Sequence, residues 1–192
     1  MNEKFKIIIP ARYKSSRFPG KPLKKILGKE MVIRVADICS KITKKENIII
    51  ATDNNLIKQT CEDFGYRSLM TPKSCKTGTD RCYQAAKKIK SNFYINVQGD
   101  EPFLDPMDLE MFINIALKNP DIIHNAYCDI HDEDLFNNLN IPKLVLDKNE
   151  RLIYMSRAPI PISKSGNFSK AYRQVCMYSF PKKMLDIFSS YK

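Results

Sequence analysis

The segment Pro10-Ala11-Arg12-Tyr13-Lys14-Ser15-Ser16-Arg17-Phe18-Pro19-Gly20-Lys21-Pro22-Leu23 carries Arg12, Lys14, Arg17 and Lys21 on one short stretch. Cations that close repel one another unless an anion joins them. Phosphate is the natural partner, because guanidinium offers forked donors and an ammonium acts as a point charge. Gly20 lets the backbone approach a ligand closely. The segment does not match G-x-x-x-x-G-K-[ST], and G-x-G-x-x-G occurs nowhere in the chain. That argues against P-loop NTPases and ordinary dinucleotide folds.

A second candidate is Asn96-Val97-Gln98-Gly99-Asp100-Glu101-Pro102, in which an apolar run ends in an amide, a glycine and two acids. Magnesium is commonly held by one or two carboxylates together with substrate phosphates, so Asp100 opposite a basic loop is adequate chemistry for a hard cation. The competing role, capping the next helix, fits Asp105 better because Pro106 follows it. The third segment, Lys76-Thr77-Gly78-Thr79-Asp80-Arg81, is a small hydroxylated turn before a helix. Its amides can face an anion, although the same residues read equally as an ordinary capping box.

These segments need a scaffold that brings them together. Phe5–Pro10 reads as a buried strand, with Ile7, Ile8 and Ile9 in succession. Met31, Val32, Val35, Ala36, Ile38, Cys39 and Ile42 recur at helical spacing. Strands are expected at residues 47–52, 67–70, 93–97, 122–128, 143–146 and 172–180. Helices are expected after Asp53-Asn54, which reads as an N-cap, over 79–89, from Asp105-Pro106 through Leu117, and from Pro181 to Tyr191. This alternation predicts an α/β fold with a mostly parallel sheet flanked by helices. In such sheets ligands bind beyond the carboxyl ends of the strands, where the basic loop and Asp100 both fall. Residues 1–192 read as one domain, with the proline-containing stretch 139–169 as an appended β-rich lobe.

The chain has 192 residues, 43% hydrophobic and 28% charged, which is globular composition. No apolar run approaches the roughly 20 residues a bilayer requires, and no secretory leader is visible. A cytoplasmic protein without membrane association is expected. The net charge of +11 comes from scattered lysines. With no basic tail and no interleaved aromatic clusters, a nucleic-acid partner is not expected. Six cysteines without a C-x-x-C pair read as free thiols in a reducing compartment.

The segments Ile8–Leu23 (IIPARYKSSRFPGKPL), Ala51–Asp53 (ATD), Thr77–Arg81 (TGTDR), Asn96–Pro102 (NVQGDEP) and Met155–Pro161 (MSRAPIP) together resemble the 3-deoxy-manno-octulosonate (KDO) cytidylyltransferases, in the same order and over nearly the whole chain. The resemblance implies a nucleotide-diphospho-sugar transferase, glycosyltransferase-A-like fold. It further implies a homodimer, magnesium, and activation of KDO or a related ulosonic acid by CTP. By matching positions, Arg12, Lys21 and Asp100 would be catalytic, with Asp100 the metal ligand. Pro10, Ala11, Arg12, Arg17, Lys21, Thr77, Gly78, Thr79, Arg81 and Gln98 would bind nucleotide. Gln98, Arg157, Gln174 and Tyr178 would face the sugar, and residues 139–180 would form a sugar-binding and dimerisation lobe.

Three departures from the family pattern stand out. Gln174-Val175-Cys176-Met177-Tyr178-Ser179 replaces a His-x-Gly-x-Tyr-Gly pattern, and Asn140-Ile141-Pro142-Lys143 replaces Asn-x-Val-Lys. Both point to an altered sugar, such as an amino-substituted KDO. The family's late Gly-Val-Asp-Thr-Pro motif, with a second metal-binding Asp, is absent. The 192-residue chain is therefore expected to be weakly active or inactive alone. The alternatives are a cytidylyltransferase for another acid or a phosphonate, and a nucleotide-binding remnant.

Overall fold

The computed structural model describes residues 5–14, 18–164, 168 and 170–190. In chain order the elements are β1 (Lys6–Ala11), β2 (Lys25–Ile26), β3 (Lys29–Glu30), α1 (Met31–Ser40), β4 (Ile48–Thr52), α2 (Asn55–Asp63), β5 (Arg67–Met70), α3 (Gly78–Ala86), β6 (Phe93–Val97), α4 (Pro106–Lys118), β7 (His124–Ile130), α5 (Glu133–Asn137), β8 (Lys143–Leu146), β9 (Leu152–Ser156), β10 (Ala171–Pro181) and α6 (Lys182–Ser190). They form two compact units, one of Met1–His124 with Met177–Lys192 and one of Asn125–Cys176. The stretch expected as a lobe thus falls largely in the second unit, which begins earlier, at Asn125.

In the first unit β4 and β6 flank β1 in parallel, β5 pairs in parallel with β4, and residues 177–181 of β10 pair antiparallel with β6. Ile7, Ile8, Ile9, Ile48, Ile49 and Ile50 are fully buried, as parallel strands covered on both faces require. One core cluster joins Ile8, Ile49, Cys82, Ala85, Tyr94, Phe180 and Leu185. The spatial order β5-β4-β1-β6 reverses direction at β1. The chain fills one side of β1 with β4 and β5 before crossing to β6 on the other. Such a switch opens a crevice at the carboxyl ends of the two central strands.

Helix ends follow local chemistry. The Asn54 side chain accepts from the Leu56 and Ile57 amides at 2.9 and 3.2 Å. Asn54 is thus the cap of α2, and Asp53, its expected partner in that role, is left for another. Asp105 caps α4 through the Met107 amide at 2.8 Å, with Pro106 in the first turn. Helix α3 stops at Ala86, short of the expected Ile89. The β2–β3 hairpin escaped the sequence reading because it has two residues per strand. Leu27 and Gly28 make its turn with φ of 48° and 81°.

The second unit pairs β8 antiparallel with β9, and residues 172–173 of β10 antiparallel with β8. The Asp147 carboxylate closes the β8–β9 turn by accepting from the Asn149 and Arg151 amides at 2.8 and 2.9 Å. Ile130, Phe136 and Ala171 form its small core, with Phe168 against it. Lys143 is fully buried, and its ammonium donates to the carbonyls of Asn138 at 2.7 Å and Arg157 at 3.0 Å. Burial lowers its pKa, with the Arg157 charge acting the same way. Among the described residues no helix is long and apolar enough to cross a membrane. None of the six cysteines forms a disulfide, and burial pushes Cys39 and Cys61 up to about 12.

Candidate active site

A cleft of about 440 Å³ opens in the first unit at the switch point. It is lined from the end of β1 by Pro10, Ala11 and Arg12, from the following loop by Phe18, Lys21 and Pro22, from the entry to α3 by Cys75, Lys76, Thr77, Gly78 and Arg81, and from the end of β6 by Gln98, Gly99 and Asp100. The three segments singled out in the sequence therefore converge on one cavity. Arg12 is exposed there, and the Lys21 ammonium donates to Asp100 Oδ2 at 2.7 Å. Both partners remain wet, at 37% and 50% side-chain exposure, so the pair contributes at most about 1 kcal/mol and can open for a ligand.

Two glycines set the shape of the cleft. A Cβ on Gly99 would stand 2.9 Å from the Pro10 carbonyl oxygen and 3.4 Å from Ile9 Cγ2. The β6 turn thus approaches β1 as closely as backbone allows, which brings Asp100 to the basic loop. Gly99→Ala should cost about 1–3 kcal/mol, the usual penalty for overpacking, and shift Asp100 away from Lys21. Urea melts would read the first effect, and an undiminished melting midpoint would refute it. At Gly78 a Cβ would meet the Gln98 amide at 2.7 Å. There the neighbour is the end of a flexible side chain and can move.

Of the expected site residues, Pro10, Ala11, Arg12, Lys21, Thr77, Gly78, Arg81, Gln98 and Asp100 line the cleft. Arg17 lies outside the described residues. Thr79 is in the first turn of α3, half-buried, and is not among the lining residues. The turn before α3 is a capping box: the Thr77 hydroxyl accepts from the Asp80 amide at 3.1 Å, and the Asp80 carboxylate accepts from the Thr77 amide at 2.9 Å. Arg81 is buried, and two of its donors are engaged by Thr71 Oγ1 at 2.5 Å and Asp53 Oδ2 at 3.0 Å. Gln98 donates to Asn96 Oδ1 at 3.3 Å.

The expected sugar-facing residues have local partners. Tyr178, in the first unit, packs against the core cluster and stacks on Phe180 with ring centroids 5.9 Å apart. In the second unit, Arg157 donates to the Asn140 carbonyl at 2.7 Å, and Gln174 donates to Asn125 Oδ1 at 3.4 Å. Phe18, Pro22, Lys76 and Gly99 fall within the candidate segments without having been given a role of their own, Cys75 was missed altogether, and Asp53 had no role here. Gly99 was legible in retrospect, since a glycine between a buried strand and an acid marks a close backbone approach.

Asp100 is the one carboxylate among the described residues lining the cleft, and among those residues no group of three or more His, Cys, Asp or Glu converges on a metal position. That donor set suits a hard cation held by one carboxylate and by oxygens a substrate brings. A doubly wound sheet whose switch point carries a basic loop opposite a strand-end carboxylate suits a phosphorylated ligand such as a nucleotide. The chain belongs to the cytidylyltransferase family, whose model matches residues 6–192.

The chain is 35% identical over 188 residues to an 8-amino-3,8-dideoxy-manno-octulosonate cytidylyltransferase of Shewanella halifaxensis, covering 95% of this chain and 77% of that protein. It is 37% identical over 188 residues to the mitochondrial 3-deoxy-manno-octulosonate cytidylyltransferase of Arabidopsis thaliana, covering 95% and 64%. Among solved structures, a CMP:2-keto-3-deoxy-manno-octonic acid synthetase complexed with CTP is 31% identical and superposes with a TM-score of 0.90, over 98% of this chain and 78% of that one. The fold is that of the nucleotide-sugar transferases, as expected.

Proposed function

We propose that the protein couples CTP to a 3-deoxy-ulosonic acid, KDO or its 8-amino form, and releases pyrophosphate. The observation that carries this reading is the convergence, at the switch point, of Arg12 and Lys21 with the strand-end carboxylate of Asp100. Its likeness to a synthetase solved with CTP supports the choice of nucleotide. The anomeric hydroxyl of the sugar acid attacks the α-phosphorus. A new P–O bond forms, the bond to the bridging oxygen of the β-phosphate breaks, and the hydroxyl proton leaves to solvent.

Arg12 and Lys21 hold the triphosphate and meet the charge that grows on the departing pyrophosphate. Positioning and charge neutralisation carry most of the rate in such transfers. Asp100 would hold magnesium, which when bound would supply charge neutralisation to the transferring phosphate. Gln98, which lines the cleft beside Gly78, is proposed to help place nucleotide and sugar. Arg157, Gln174 and Tyr178 are proposed to face the sugar acid. The exposed apolar run Leu152, Ile153 and Tyr154 on β9 supports a homodimer. The reading carries a cytoplasmic setting, where CTP is supplied.

The direct test is pyrophosphate release with magnesium, each of CTP, UTP, ATP and GTP, and a panel of KDO, its 8-amino form and a nine-carbon sialic acid. Release with CTP and an eight-carbon acid is expected. Equal turnover with another nucleotide, or with the nine-carbon acid alone, would sink the assignment.

A further inference from the structure

Arg12 and Lys21 are well separated along the chain, yet both line the cleft. Tyr13 links them. Its carbonyl accepts from the Gly20 amide at 2.9 Å, which brings the two ends of the loop together immediately beside Arg12 and Lys21. Gly20 has φ of +69°, a left-handed conformation that favours glycine, and a Cβ there would touch the Tyr13 ring at 3.4 Å. The Tyr13 amide in turn donates to Asp53 Oδ1 at 3.1 Å. Both backbone groups of Tyr13 are therefore held.

Asp53 stands just past the end of β4, and its other oxygen accepts from Arg81 at 3.0 Å. Arg81 is anchored in α3, and its second terminal nitrogen donates to Thr71 Oγ1, just past β5, at 2.5 Å. Thr71 Oγ1 donates to the Thr52 carbonyl at 2.9 Å. The side chains of Arg81 and Asp53 are only 3% and 10% exposed. A buried charge pair of this kind is costly to assemble and holds its geometry tightly once its donors are satisfied. The carboxylate thus has one oxygen on Arg81 of α3 and the other on the Tyr13 amide, beside Arg12.

We infer that Asp53 is a positioning residue for nucleotide binding: its carboxylate ties the Tyr13–Gly20 clamp to the buried Arg81 and thereby sets where Arg12 and Lys21 meet the triphosphate. Asp53 does not line the cleft and touches no substrate. It acts through the backbone of Tyr13, and a loop released from it presents the same cations over a wider range of positions, so binding must first order them. This inference rests on the reading of the cleft as a CTP site.

The test compares CTP affinity, by calorimetry well below each melting temperature, in wild type, Asp53→Ala and Leu185→Ala. Leu185 is fully buried in the same unit's core, and its truncation supplies a destabilised control. CTP Kd is expected to rise about tenfold or more in Asp53→Ala and to stay at the wild-type value in Leu185→Ala. An unchanged Kd in folded Asp53→Ala would overturn the inference and leave Asp53 structural. Hydrogen exchange on the nucleotide-free wild type decides the matter if Asp53→Ala does not fold. A protected Tyr13 amide is expected, and exchange at the unfolded-chain rate would refute the tether. Wild type that binds no CTP would instead defeat the functional reading itself.

Discussion

Asp100→Ala should lose at least about two to three orders of magnitude in pyrophosphate release, the scale on which removal of one preorganised electrostatic group is felt, and should melt where wild type does. The two halves of this expectation have separate origins. Asp100 is half exposed and its Lys21 partner is a surface lysine, so the fold loses at most about 1 kcal/mol with the pair. The reaction loses the one carboxylate lining the cleft among the described residues, and with it the side chain that would hold the cation. Asp100→Asn separates shape from charge: an amide keeps the size and one acceptor oxygen but not the negative charge, and should be nearly as inactive. Wild-type turnover in either variant, measured at saturating magnesium with CTP and the sugar acid, would remove Asp100 from the mechanism.

How much of this site could be read from the chain depends on how local each feature is. The buried parallel strands declared themselves, because Ile7-Ile8-Ile9 and Ile48-Ile49-Ile50 have no polar face to offer water. Asp105 and Pro106 declared a helix start in the same way. The convergence of three distant segments followed from one topological rule, that strands of a doubly wound sheet deliver their loops to a common edge.

What stayed illegible was partner choice among groups brought together only by the fold. The resemblance assigns Arg81 to the nucleotide and nothing in the sequence pairs it, yet its guanidinium is engaged by Asp53 and Thr71 from two neighbouring strand ends. Asp53 and Asn54 both read as caps of α2. The fold assigns that role to Asn54 and turns Asp53 toward Tyr13. The second unit was the least legible, since β9 places Leu152, Ile153 and Tyr154 in succession without alternation and leaves all three exposed, a pattern periodicity does not recognise as a strand.

Lys21→Met tests the other half of the ion pair, and its two consequences carry opposite signs. Lys21 follows Gly20, whose amide is clamped to Tyr13, so the ammonium is delivered to the cleft at a fixed point on the loop. A charge-assisted contact to a phosphate is worth about 1.5–3 kcal/mol, so its loss should weaken CTP binding by roughly 10- to 150-fold. The same ammonium also competes for Asp100, to which it donates at 2.7 Å. Without it the carboxylate is free, and Mn2+ should bind the nucleotide-free protein about two- to fivefold more tightly, the full value of an exposed pair. Titrations of CTP without metal and of Mn2+ without nucleotide read the two effects separately. If both affinities fell together, Lys21 would be holding the shape of the cleft rather than its charge. If neither moved, the Lys21–Asp100 pair would lie outside the site that binds nucleotide and metal. Opposite shifts in the two titrations are the signature of a cation exchanged between carboxylate and triphosphate, and no purely structural role for Lys21 produces them.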